Sequence, residues 1–86
     1  MPAYKLMVDF EVIEGLDAFT AKQRLEVFGI IRRLLQNPNA SGDWQALAED
    51  GRELEVKVFG RWQITYWLDS PVWELRVVEV QRIALS

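Results

Sequence analysis

Cysteine and histidine are both absent from this chain of 86 residues. Without cysteine there is no disulfide framework and no thiolate chemistry. Without histidine the chain lacks the commonest general base near neutral pH and the commonest metal ligand. A zinc site built from Asp and Glu alone would be unusual, so we expect neither a metal nor a cofactor.

Basic residues are few, with 10 Lys and Arg against 13 Asp and Glu, and the net charge is −3. Affinity for a phosphate backbone comes from clustered cations, so nucleic acid would need a local basic patch. No apolar run approaches the roughly 20 residues that span a membrane, and no signal peptide is visible. We therefore expect a cytoplasmic protein that forms a single domain over residues 1–86.

Strict alternation of apolar and polar residues, typical of strands with two different faces, dominates the second half of the chain. Three alternating runs joined by tight turns predict an antiparallel meander over residues 54–58, 62–68 and 72–80. An opening strand is predicted over residues 4–10 by the same pattern.

The sequence does not determine which face of the middle predicted strand packs against the helices, so the position of Trp67 has two alternatives. If Trp62, Ile64 and Tyr66 face the helices, Trp67 points to the uncovered face with Gln63. There it could stack on a base or anchor a protein partner. The opposite phase would place Trp67 in the core.

The region between the strands contains one strong helix, over residues 20–37. Thr20 and Gln23 have the spacing of a capping box, apolar residues recur at helical spacing, and Pro38 ends the helix. Residues 11–19 favour a short helix, and Trp44 with Leu47 predicts one or two further helical turns. The order predicts a two-layer α+β domain whose helices cover one face of a mostly antiparallel sheet.

Nearly the whole chain resembles the RelE/ParE superfamily, the toxins of bacterial type II toxin–antitoxin pairs. The similarity lies in the order and spacing of several segments, none of which is sharp alone. These are the opening strand ending in Asp9-Phe10, the leucine-rich helix end closed by proline at 33–38, Trp44-Gln45-Ala46-Leu47, the alternating strand 54–58, Gly60-Arg61-Trp62-Gln63-Ile64-Thr65-Tyr66 in place of G-x-Y-R-ϕ-x-Y, and the final strand 78–82.

The resemblance implies a two-layer RelE/ParE-like fold and a cognate antitoxin as partner. It also implies activity as a ribosome-dependent mRNA endonuclease, or as a topoisomerase blocker. Carried over by position, the candidate catalytic residues are Arg82, Lys57 and Arg61. Candidate residues for binding nucleic acid or a partner are Arg76, Trp67 and Gln63.

The basic set of the family is incomplete in this sequence. Glu53, Glu55, Gln63 and Gln81 stand where RNA-cleaving members tend to carry basic or catalytic groups. Cross-strand ion pairs of Glu55, Lys57, Glu74 and Arg76 on one solvated face are the simpler interpretation of those charges. Two hypotheses therefore stay open: a toxin with weak or no nuclease activity, and a catalytically inactive protein-binding module of the same fold, with a homodimer through an apolar strand or helix surface.

Overall fold

The computed structural model describes residues 3–83, and its elements follow the predicted order with one additional strand. Those elements are β1 Lys5–Val8, α1 Phe10–Gly15, a 3-10 helix Leu16–Ala18, α2 Ala21–Gln36, β2 Trp44–Leu47, β3 Glu53–Phe59, β4 Trp62–Asp69, a 3-10 helix Ser70–Val72 and β5 Glu74–Arg82. The α+β class, the short first helix and the meander of β3, β4 and β5 are confirmed. Among the described residues no helix is long and apolar enough to cross a membrane.

The beginning of α2 is fixed by the predicted capping box. The Thr20 hydroxyl accepts from the Gln23 backbone N–H at 3.1 Å, and the Gln23 side chain accepts from the Thr20 N–H at 2.9 Å. Two backbone donors that a helix start leaves without partners are thereby satisfied. The helix ends at Gln36, before Asn37-Pro38, as the sequence predicts.

The described strands form one sheet in the order β1-β5-β4-β3-β2. Among these strands only β1 and β5 pair in parallel; the two helices that follow β1 carry the chain to β2 at the opposite edge, and the meander then returns it to β5 beside β1. The predicted helical turns at Trp44 and Leu47 are wrong, since this segment is the edge strand β2 and Trp44 lies opposite Val56. Three-residue spacing in so short a segment does not separate a helical turn from a strand.

One face of the sheet, here called the helix face, packs against α1 and α2. The core on that face is formed by residues of both helices, β4 and β5: Val12, Val27, Ile30, Ile31, Leu34, Trp62, Ile64, Tyr66, Leu75 and Val77. The other face, here called the open face, carries no helix among the described residues. Of the two orientations considered for β4, the structure therefore has the one in which Ile64 and Tyr66 point toward the helices.

The third strand of the meander begins later than predicted. Ser70–Val72 forms a 3-10 turn and Trp73 has a left-handed backbone with φ of 55°, so β5 starts at Glu74 rather than at Val72. A register shift at Thr65/Tyr66 then puts both Val77 and Val80 opposite helix-face residues of β4. Regular alternation along β5 cannot produce this odd spacing.

Candidate functional site

The cleft between the second half of α2 and the β3–β4 ladder gathers polar side chains above the core. It encloses about 210 Å³ and is lined by Arg33, Leu34, Asn37, Ala40, Ser41, Lys57, Phe59 and Tyr66. Strand β3 brings Lys57 to the helix face, because Lys57 lies opposite the buried Ile64. A predicted catalytic lysine therefore stands at the mouth of a cleft on the covered side of the sheet.

Lys57 is held by an acid from the loop before β2. Its Nζ lies 3.7 Å from Asp43 Oδ1, and Asp43 Oδ2 accepts the Val58 backbone N–H at 2.7 Å. The neighbouring Glu55 is engaged as well, since its Oε2 accepts from Gln45 Nε2 at 2.7 Å. The cation in this cleft is thus partly neutralised within the chain.

Tyr66 forms the floor of the same cleft. Its ring is 1% exposed and its hydroxyl donates to the Ala40 carbonyl at 3.3 Å. Burial raises the pKa of Tyr66 above 10.0, and the negative charges of Glu55 and Asp43 raise it further. The hydroxyl is therefore a core group that keeps its proton at neutral pH.

A second cleft of about 480 Å³ continues along α2 toward the β3–β4 turn. It shares Arg33 and Phe59 with the first cleft and also includes Arg61. Arg82 lies beyond Arg61, opposite Trp62 at the end of β5, and the Ile83 N–H donates to the Arg61 carbonyl at 2.6 Å. The three predicted catalytic residues therefore do not meet at one point. Lys57 lies at the first cleft, and Arg61 and Arg82 lie near the β3–β4 turn.

The three predicted binding residues lie on the open face. Trp67 is opposite Arg76, and Gln63 is opposite Gln81. The Arg52 guanidinium lies 3.9 Å from the centre of the Trp67 ring and that of Arg76 lies 5.6 Å from it. Trp67 thus has the predicted orientation, but a guanidinium of the same chain already covers part of its ring.

The sequence analysis interpreted four charged residues as ion pairs on a single solvated face of the sheet, and this interpretation is wrong. Glu55 and Lys57 lie on the helix face, whereas Glu74 and Arg76 lie on the open face, where they pair at 2.9 Å. The register of β3 puts the apolar residues Leu54, Val56 and Val58 on the open face. Val56 is nevertheless buried, because β2 places Trp44 beside it.

Two site residues were missed from the sequence. Arg33 lines the cleft and Asp43 pairs with Lys57, but neither was predicted as a site residue. No local signal marks Asp43, because its carboxylate contacts Lys57 and the Val58 N–H on β3, far along the chain. Within residues 3–83 no three acidic residues come together as a metal site.

A comparison with solved structures finds this fold in one chain of a two-protein complex. The chain superimposes on a chain of the archaeal RelE–RelB complex from Pyrococcus horikoshii OT3 with a TM-score of 0.74, at 9% identity, over 99% of this chain and 100% of that chain. No family model matches the sequence, and no curated protein matches it. At this identity the likeness establishes the fold.

Proposed function

Because the chain has a RelE-like toxin fold, we propose that it is the toxin-like component of a type II toxin–antitoxin pair. Its partner is then a cognate antitoxin protein, and the solved structure with this fold is a complex of RelE with RelB. The observation that carries the proposal is the agreement of fold over essentially the whole length of both chains. It agrees with the order of segments in the sequence.

In this proposal the chain is a weak or inactive ribosome-dependent mRNA endonuclease. Cleavage needs a base for the 2′-hydroxyl, cations for the charged intermediate and an acid for the leaving oxygen. Lys57, Arg61 and Arg82 supply cations, but arginine stays protonated and makes a poor base. The buried Tyr66 has a raised pKa and a hydroxyl already bonded to Ala40, which makes it a poor acid.

Asp43 is the specific reason to expect low activity. Its carboxylate lies against Lys57 and would repel an incoming phosphate at that position. Asp43→Asn should keep an oxygen acceptor for the Val58 N–H while removing the charge beside Lys57. We expect this variant to bind a short single-stranded RNA more tightly than the parent at low salt. Asp17→Asn, at an exposed position of the 3-10 helix Leu16–Ala18, is the matched surface control.

Induction of the chain in growing bacteria tests the proposal directly. Growth arrest with shortened mRNA is expected of an active toxin, and Arg82→Ala and Lys57→Ala should abolish it. Lys22→Ala, on the exposed first turn of α2, should leave it unchanged. Arrest that persists in both site variants would refute the assignment of these residues.

The alternative is a catalytically inactive protein-binding module with the same fold, and the pairing of Lys57 with Asp43 favours it. Continued growth with intact mRNA would support this alternative over the nuclease. Purification with a small protein encoded by the neighbouring reading frame would then still support the toxin–antitoxin pair. If neither arrest nor such a partner were found, the toxin-like proposal would be wrong.

A further inference from the structure

The segment 4–10, which contains β1 and ends at the first residue of α1, has a side-chain sequence that is nearly the same in both directions. Around Met7, residues of matching or opposite character stand at equal distances on either side. In order they are Tyr4, Lys5, Leu6, Met7, Val8, Asp9 and Phe10: aromatic, cation, aliphatic, Met, aliphatic, anion, aromatic. A strand of this kind is complementary to a second copy of itself running in the opposite direction.

The outer edge of β1 also has its backbone groups in the right places. Within residues 3–83, β1 pairs only with β5. The Lys5 and Asp9 N–H groups donate inward, to Trp73 and Val77 carbonyls at 2.8 and 3.0 Å. Because strand groups alternate in direction, the N–H and C=O of Leu6 and Val8 point outward.

We propose that two copies of this chain pair through antiparallel β1 strands, with the two-fold axis at Met7. In this register Leu6 of each copy lies opposite Val8 of the other, and their outward groups form four hydrogen bonds across the axis. Lys5 then lies opposite Asp9 of the other copy, once on each side, with opposite charges in cross-strand contact. The two five-stranded sheets become one continuous sheet.

The exposed apolar side chains along and beside β1 also suit contact with a second copy of the chain. Leu6, Met7 and Phe10 are exposed, at 39%, 41% and 71%. Tyr4 and Trp73 form an edge-to-face pair at the start of the strand, with ring centroids 5.2 Å apart. An antiparallel copy brings the end of its β1, where α1 begins with the exposed Phe10, next to this pair, so exposed apolar area is buried at each end of the contact. Both clefts described above lie elsewhere, and the association does not depend on the toxin proposal.

The charge pairs give a test that a merely unfolded variant cannot imitate. Lys5→Glu places two acids opposite each other in the homodimer, and Asp9→Lys places two lysines opposite each other. Each variant alone should dissociate, with a dissociation constant raised roughly tenfold or more. Their mixture restores both opposite-charge pairs and should form a heterodimer. Lys22→Glu makes the same charge change on α2 and should not affect dimerisation.

Sedimentation equilibrium over a range of concentrations measures the result, because the dimer has twice the 10.0 kDa mass of the chain. Circular dichroism checks folding, since Glu at position 5 would also face Glu74 across the ladder. A parent chain that stays monomeric at hundreds of micromolar would overturn the proposal, as would a mixture that fails to associate. Binding of an antitoxin strand to β1 of a monomeric parent would overturn it equally.

Amide hydrogen exchange tests the same interface in the parent chain, without any substitution. On raising the concentration, the Leu6 and Val8 amides should become protected in the parent. The Met7 amide, directed toward β5, should be protected at every concentration. Concentration-dependent protection elsewhere, with Leu6 and Val8 unchanged, would place the interface on another surface and refute this one.

Discussion

Gly42 stands against the backbone of β3, and replacing it with alanine should destabilise the fold. A Cβ at this position would lie 2.7 Å from the Val56 oxygen, 2.9 Å from its nitrogen and 3.1 Å from its carbonyl carbon. The φ angle of Gly42 lies outside the left-handed region, so the backbone conformation itself suits alanine. The cost is therefore steric, and it comes from backbone atoms rather than from a flexible side chain.

The magnitude follows from how far the strands would have to separate. An ordinary carbon–oxygen contact is about 3.3–3.6 Å, so the new Cβ is short by roughly 0.6–0.9 Å. Such a displacement would stretch the hydrogen bond from the Asp43 N–H to the Val56 carbonyl, now 2.7 Å, to about 3.3–3.6 Å, where most of its strength is lost. Losing one hydrogen bond costs about 1 kcal/mol and overpacking about 1–3 kcal/mol. We expect a total loss of about 2–4 kcal/mol.

Urea titration followed by tryptophan fluorescence measures this loss. With a slope of about 1 kcal/mol per molar for a small domain, the midpoint should fall by about 2–4 M. Gly29→Ala is the matched control, because nothing lies within 4 Å of its added Cβ and alanine favours a helix interior by about 0.5–1 kcal/mol. That variant should raise the midpoint. A Gly42→Ala protein as stable as the parent would refute the close approach of this loop to β3.

Three further changes have expected outcomes on stability. Glu26→Ala removes the acceptor of the buried Trp62 Nε1–H, now 3.0 Å away, and should cost about 1–3 kcal/mol in the same titration; Glu26→Gln, which keeps an acceptor oxygen, should cost clearly less. Tyr66→Phe should remove a loss of stability above pH 10: because burial raises the pKa of Tyr66, the unfolded chain ionises first as the pH rises and binds fewer protons than the folded chain. Thermal unfolding between about pH 9 and 11 measures this effect, with Tyr4→Phe as the control. Thr20→Ala removes the hydroxyl that caps α2 and should lower the free energy of unfolding by about 1 kcal/mol; an unchanged melting temperature would contradict that role of the cap.

Local patterns in the sequence determined the elements of this protein and their order. The capping box and the apolar stripe specify α2 within one residue at each end, because both act over four or five neighbouring residues. Alternation specifies β3 and β4, and the left-handed Gly60 with Arg61 closes the turn between them. That order carried the resemblance to the RelE/ParE superfamily, and the RelE-like fold that the resemblance implies is confirmed in the tertiary structure.

Which side chains meet was decided only by the tertiary structure. A strand of alternating residues has two faces, and the sequence does not state which face a neighbouring strand or helix will cover. The register of β3 on β4 placed Lys57 above Ile64 and beside Asp43, whereas Arg76 and Trp67 went to the opposite side of the sheet. Contacts between residues far apart in the chain set that register, so the six predicted site residues were separated into two surfaces that the sequence alone could not distinguish.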